Sequence, residues 1–140
     1  KVSNQRKPSL PPVFARHFGI HVSEEKTLIT HIGDGFDFLG WNFRKYKVGA
    51  KRKLLIKPSK KSLDAIKTSI REVVLEKGKA MTQDDIIKTL NPKLRGWSGY
   101  HSSSVASKTF DYVDVFVFQT LFRWARHRHG DKSRHWVADR

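Results

Sequence analysis

Residues 54–74, LLIKPSKKSLDAIKTSIREVV, contain the point at which the chain changes from one backbone periodicity to another. Up to Pro58 the run LLIKP is short and aliphatic, as a strand requires. Beyond it, Leu63, Ile66, Ile70 and Val73 or Val74 recur every three or four residues, which gathers them on one face of a helix. Ser59 or Ser62 can accept from the first free N–H groups of that helix, and Gly78 stands where it would end. The stretch therefore joins a sheet region to a helical one, and the fold class it predicts is α+β, mainly α.

Upstream, KTLITHI at residues 26–32 is β-branched and apolar, Gly33-Asp34-Gly35 suits a turn, and FDFLGWNFRKY at 36–46 has strand-like aromatics. With VGAKRK as a polar connector and LLIKP as a third strand, a small antiparallel sheet is expected. Residues 1–12 carry three prolines and little periodicity. Three segments result: 1–22 as a linker or truncated start, 23–58 as the β-hairpin region, and 59–140 as a helical domain of three or four helices.

Downstream, Thr82 and Asp85 have the spacing of a capping box and open a short helix carrying Ile86, Ile87 and Leu90. Asn91-Pro92 is read as a break. Asn91 would cap the next helix, with Pro92 at its first position and Leu94, Trp97 and Tyr100 or His101 on one face. Ser107 is expected to cap the last long helix, on which Phe110, Val113, Val117, Leu121 and Trp124 form a stripe, with Gly130 as a left-handed terminator. Tyr112–Phe118 is also rich enough in β-branched and aromatic residues for a strand. The pattern persists through LFRWARHRHG, which favours helix.

The chain has 140 residues, enough for a hydrophobic core, and no cysteine, which removes disulfides, cysteine zinc sites and thiol nucleophiles. No apolar run reaches the roughly 20 residues needed to cross a bilayer, and the amino-terminal residues lack the apolar stretch of a signal peptide. A soluble, cytoplasmic protein without a membrane partner is expected. Its 28 Lys and Arg against 13 Asp and Glu give a net charge of +15, which calls for a polyanion. The basic residues are spread over several elements, unlike those of a single membrane-surface helix.

Two clusters carry most of this charge. Residues 44–61 hold Arg44, Lys45, Lys47, Lys51, Arg52, Lys53, Lys57, Lys60 and Lys61 and no acid. Such side chains can follow a phosphate backbone and release its counterions, although lysines also protect exposed strand edges. At the carboxyl end Arg123, Arg126, Arg128, Lys132 and Arg134 are interleaved with Trp124, Trp136 and histidines, a mixture suited to phosphates and unpaired bases. Trp124 continues the apolar stripe and is expected in the core, whereas Trp136 fits core or surface equally. Cations on the last helical turns also complement the helix dipole. A third group, Arg95, Tyr100 and His101, lies beside Gly96 and Gly99, and glycines inside a helix suggest close approach by another backbone.

Catalytic patterns are lacking. His127, His129 and His135 do not have the i, i+4 spacing of a helical zinc pair, and Asp34 and Asp37 are better explained as turn residues. No nucleophile elbow and no Gly-rich phosphate loop with a lysine occurs, so neither cofactor nor metal is expected.

Four ordered segments, EEKTLITHIGDGFDFLGWNFRKY, LLIKPSKKSLDAIKTSIREVV, LNPKLRGWSGYH and SKTFDYVDVFVFQTLFRWARHRHGDKSRHWV, closely resemble the carboxyl-terminal part of bacterial group II intron reverse transcriptase/maturases over residues 23–137. By this resemblance SEEKT and GFDFLGW look like the end of the palm, and KPSKKS with the later helices looks like the thumb and the maturase-specific domain. The resemblance implies binding of intron RNA to assist splicing and mobility. The family's Tyr-Ala-Asp-Asp motif, whose carboxylates hold catalytic magnesium, does not occur in these residues, so this chain alone is expected not to polymerise.

The first reading is thus an RNA-binding splicing module, with catalysis left to the ribozyme. A second is the thumb of an RNA-directed DNA polymerase, working with the remaining reverse transcriptase domains and holding a template-primer duplex. A third is a non-specific basic helical module for duplex nucleic acid.

Overall fold

A computed structural model describes residues 30–138. Three antiparallel strands, β1 (Phe36–Phe38), β2 (Trp41–Val48) and β3 (Lys51–Pro58), form a sheet in the order β1-β2-β3. The helices α1 (Lys60–Arg71), α2 (Gln83–His101), α3 (Ser107–Arg128) and α4 (Arg134–Ala138) follow. The fold is α+β and mainly α, with the sheet first. Residues 1–22 and 26–29, read above as a linker and as the start of a strand, lie outside the described residues.

The hairpins form at positions other than those expected. Thr30–Ile32 is not strand; Asp34 and Gly35 donate their N–H groups to the His31 carbonyl and close a turn. The first hairpin instead divides FDFLGW itself, because Phe38 pairs with Trp41 around Leu39-Gly40. Both turn residues have positive φ, 47° and 81°, the signature of a tight type I′ connection whose twist matches that of the strands. VGAKRK holds the second turn as expected, but the turn is shorter than that stretch. Val48 pairs with Lys51 around Gly49-Ala50, where Gly49 takes φ 61°, so Lys51, Arg52 and Lys53 are strand residues.

Ser59 caps α1, its hydroxyl accepting from the Ser62 N–H. The helix does not stop at a left-handed glycine. It widens into a π turn over Glu72–Glu76 and tightens into a 3-10 turn over Lys77–Lys79. The wider turn directs Val73 and Val74 into the core with Leu75 half-buried, three consecutive residues that a regular helix would spread around its circumference. Gly78 is buried, and its role is space: a Cβ there would lie 3.1 Å from the Val73 carbonyl oxygen and from Ile86 Cδ1.

The Thr82–Asp85 capping box forms. Asn91-Pro92 does not break the chain: α2 is one helix of 19 residues with Pro92 inside it. Proline gives up one i→i−4 hydrogen bond, but Ile86 and Leu90 before it and Leu94 and Trp97 after it share one packed face, and their burial holds both halves together. Residues 107–128 are helical, not strand, yet Ser107 is the first helical residue and the Ala106 position before it supplies no side-chain cap. Gly130 is not left-handed; positive φ among the described glycines is confined to Gly35, Gly40 and Gly49.

The core is built from Ile66, Ile70, Val73, Val74, Ile86, Leu90 and Val113, with Leu63, Trp97, Val117, Leu121 and Trp124 packed against it. It lies wholly among the helices. The sheet joins this body through its base: Ser59 donates its N–H to the Gly40 carbonyl, Tyr100 donates its hydroxyl to the Leu39 carbonyl at 2.7 Å, and Val105 donates its N–H to Ile56.

Candidate nucleic-acid interface

Strand register divides the first basic cluster. Opposite Asn42, Arg44, Tyr46 and Val48 stand Lys57, Leu55, Lys53 and Lys51, and side chains on a pleated strand alternate between faces. Arg44, Lys51, Lys53 and Lys57 therefore share one face with Tyr46. Lys57 Nζ lies 4.0 Å from the centre of the Tyr46 ring and the Arg44 guanidinium carbon 5.8 Å from it. The Tyr46 hydroxyl donates to Asn42, whose amide donates to Asp37 at 2.6 Å, so the carboxylate on this face is occupied by an uncharged partner. Arg44 is further fixed by donating Nε–H to the Gly33 carbonyl at 3.1 Å.

The opposite face carries Lys45, Lys47 and Arg52 toward the Gly49-Ala50 turn and Phe36, Phe38, Trp41, Phe43, Leu54 and Ile56 toward the helices. Phe36 stacks on Phe43 with ring centres 5.2 Å apart, while Phe38 and Leu54 are exposed. Lys60 and Lys61 occupy the first turn of α1, which contains no acid. Cations are disfavoured at the positive end of a helix dipole, so their presence there costs stability and concentrates positive potential.

In the second cluster Arg123, Arg126 and Arg128 are exposed on the last turns of α3, Lys132 lies in the following turn and Arg134 begins α4. Arg128 donates from Nη1 to the Met81 carbonyl at 2.9 Å and lies 5.4 Å from the Trp124 ring. Trp124 packs against the core and donates its indole N–H to the Gly78 carbonyl at 2.8 Å. Trp136 is half-buried, with His129 edge-on at 5.2 Å and Lys132 Nζ at 5.9 Å. Lys132 also pairs with Asp131.

The third group separates. Arg95 is exposed, and Tyr100 is half-exposed while its hydroxyl, accepting from the Trp41 indole N–H at 3.0 Å, joins α2 to the first hairpin. His101 is fully buried, so the expectation that it faces RNA is corrected. Its Nε2 lies 2.9 Å from Ser62 Oγ, which also accepts from the Trp97 indole N–H, and its ring meets Trp41, Trp97 and Tyr100 edge-on. Burial lowers its pKa below the usual imidazole value. Gly96 and Gly99 have nothing within 4 Å of where a Cβ would stand, so no described backbone approaches them.

Lys79 was not singled out by its sequence context, and His127 was weighed only as a metal ligand and as part of the carboxyl-end cluster, yet the two line a cavity of about 360 Å³ with Leu75, Arg123, Trp124 and Arg128. The spacing of Arg123 and His127, four residues apart on one helix, was the available sign. Among the described residues no group of three or more His, Asp or Glu is placed to hold a metal ion, and no helix is long and apolar enough to cross a membrane.

Comparison with known families matches residues 63–140, more than half of the chain, to the group II intron maturase-specific domain. Among curated proteins none matches the chain.

Proposed function

Because the chain belongs to the family of group II intron maturase-specific domains, we propose that it binds intron RNA through its cationic surfaces and so assists splicing and mobility. The basic face of the β2–β3 hairpin, the Lys60-Lys61 turn and the exposed arginines at the end of α3 would hold the phosphate backbone, and the ribozyme would perform the chemistry. The observation that carries this reading is the hairpin face itself. Arg44, Lys51, Lys53 and Lys57 share one face with Tyr46, and among the described residues the carboxylate on that face, Asp37, accepts from Asn42. Among the described residues none of these four cations has an ionic partner, and neighbouring ones repel one another unless a polyanion lies across them.

In this reading residues 23–58 are the end of a palm, residues 59–140 a thumb and maturase-specific domain, and the parent protein an RNA-directed DNA polymerase of the cytoplasm. Filter binding of a group II intron transcript over a salt series tests it. Specific binding should exceed that of an unrelated duplex at matched salt, and log K should fall steeply with log salt concentration. No association at low ionic strength would refute the reading.

A further inference from the structure

A cavity opens between the Lys77–Lys79 turn and the last turns of α3, lined by Leu75, Lys79, Arg123, Trp124, His127 and Arg128. We propose that it is a nucleotide subsite: Lys79, Arg123, His127 and Arg128 take the oxygens of one phosphate, and Leu75 with the Trp124 ring takes the attached sugar and base. The inference rests on the RNA-binding reading for its natural ligand, although a free mononucleotide offers the same chemistry.

Size, charge and rigidity agree. At about 360 Å³ the cavity lies in the roughly 300–1,000 Å³ range of small-ligand sites. Its lining has four basic side chains and no carboxylate. Neighbouring Lys77 is neutralised by Glu72 at 2.8 Å; the other ion pair among the described residues is Lys132 with Asp131, so no cation of the lining is spent in this way. The apolar wall is fixed, because the Trp124 indole is bonded to the Gly78 carbonyl and Gly78 leaves no space for a side chain. Arg128 is held by one nitrogen against Met81 and lies near the face of Trp124, which leaves the rest of its fork to meet an anion. Leu75 belongs to the π turn, a helical irregularity that recurs at functional sites because it redirects side chains. Phosphate-binding cations beside a fixed aromatic wall are what a nucleotide requires.

The test uses the full chain. Lys79→Gln with Arg123→Gln is compared with a control of equal charge change, Lys88→Gln with Lys93→Gln, which lies outside the cavity. With the intron transcript the cavity pair should lower the salt slope by about 0.7–0.9, corresponding to one lost phosphate contact, and the control by less than half of that. Separately, adenosine monophosphate should shift the NMR signal of the Trp124 indole N–H in the parent chain and not in the cavity pair. Equal effects of the two pairs on transcript binding, or no movement of the indole signal, would overturn the proposal. A shift with mononucleotide in a chain that fails to bind the transcript would support the cavity and refute the RNA reading.

Discussion

His101 has one hydrogen-bonding neighbour, Ser62, and an Nδ1 buried without any. A charged imidazolium there would have to shed its water among three aromatic rings, which is why its pKa falls. Since the folded value lies below the unfolded one, the unfolded chain takes up the proton first as pH drops. Stability from this residue is complete above about pH 6.5 and declines as pH falls through that value. Thermal unfolding between pH 7.5 and 5 should therefore show a falling midpoint whose slope is shallower in His101→Gln; equal slopes would show that this ring does not titrate with unfolding. Gly78→Ala should destabilise by about 1–3 kcal/mol in chemical denaturation, because a methyl group would press on the Val73 carbonyl, a backbone atom with little room to yield. Neither role was legible in the sequence. Histidine beside tyrosine on a helix fits outside as well as inside, and only the fold brings Trp41, Trp97 and Ser62 around it.

At the scale of elements, periodicity located α1, α2 and α3, and the capping oxygens of Ser59 and Thr82 marked the starts of the first two. What it could not weigh was competition. Pro92 is a local signal for an end, and the burial of Leu90 and packing of Leu94 and Trp97 outweigh it. Leu39-Gly40 escaped notice as a turn because leucine rarely adopts positive φ, whereas Gly33-Asp34-Gly35 advertises one. Leu39→Asn should raise stability by about 0.5–1 kcal/mol, since asparagine is tolerated in that conformation and the Leu39 carbonyl that holds Tyr100 is retained. An unchanged denaturation midpoint would show that the turn is unstrained. The same register has a functional consequence. Lys51→Gln with Lys53→Gln removes two cations from one face, while Lys45→Gln with Arg52→Gln removes two from the other. If the Tyr46 face meets RNA, the first pair should weaken transcript binding more than the second in filter binding, and equal losses would argue against a preferred face.

Over the whole molecule, sequence anticipated the division into a small sheet followed by helices because hydrophobic spacing changes so abruptly at Pro58. The separation of charge from core was equally readable: the buried cluster has no ionisable member, and nearly every basic residue of the candidate surfaces is exposed. The sharing of cations between faces was not, since it depends on which two residues form each turn. Ile70, fully buried where α1 meets the other helices, is the position at which a cavity should cost most. Ile70→Ala is expected to lose about 2–5 kcal/mol in equilibrium unfolding; a loss below 1 kcal/mol would mean that the helical body can collapse around the gap.

The eight residues of β3 place Lys51 at one end and, just past the other, Lys60. Extended chain of that length spans about 26 Å, some three times the roughly 8 Å over which charges sense one another in physiological salt. The two ends are thus electrostatically separate handholds on a rod. A rigid polyanion long enough to touch both gains from each further contact without a fresh encounter, and one shorter than the rod meets only some of the cations along it, so ligand length as well as charge sets how tightly this chain holds on.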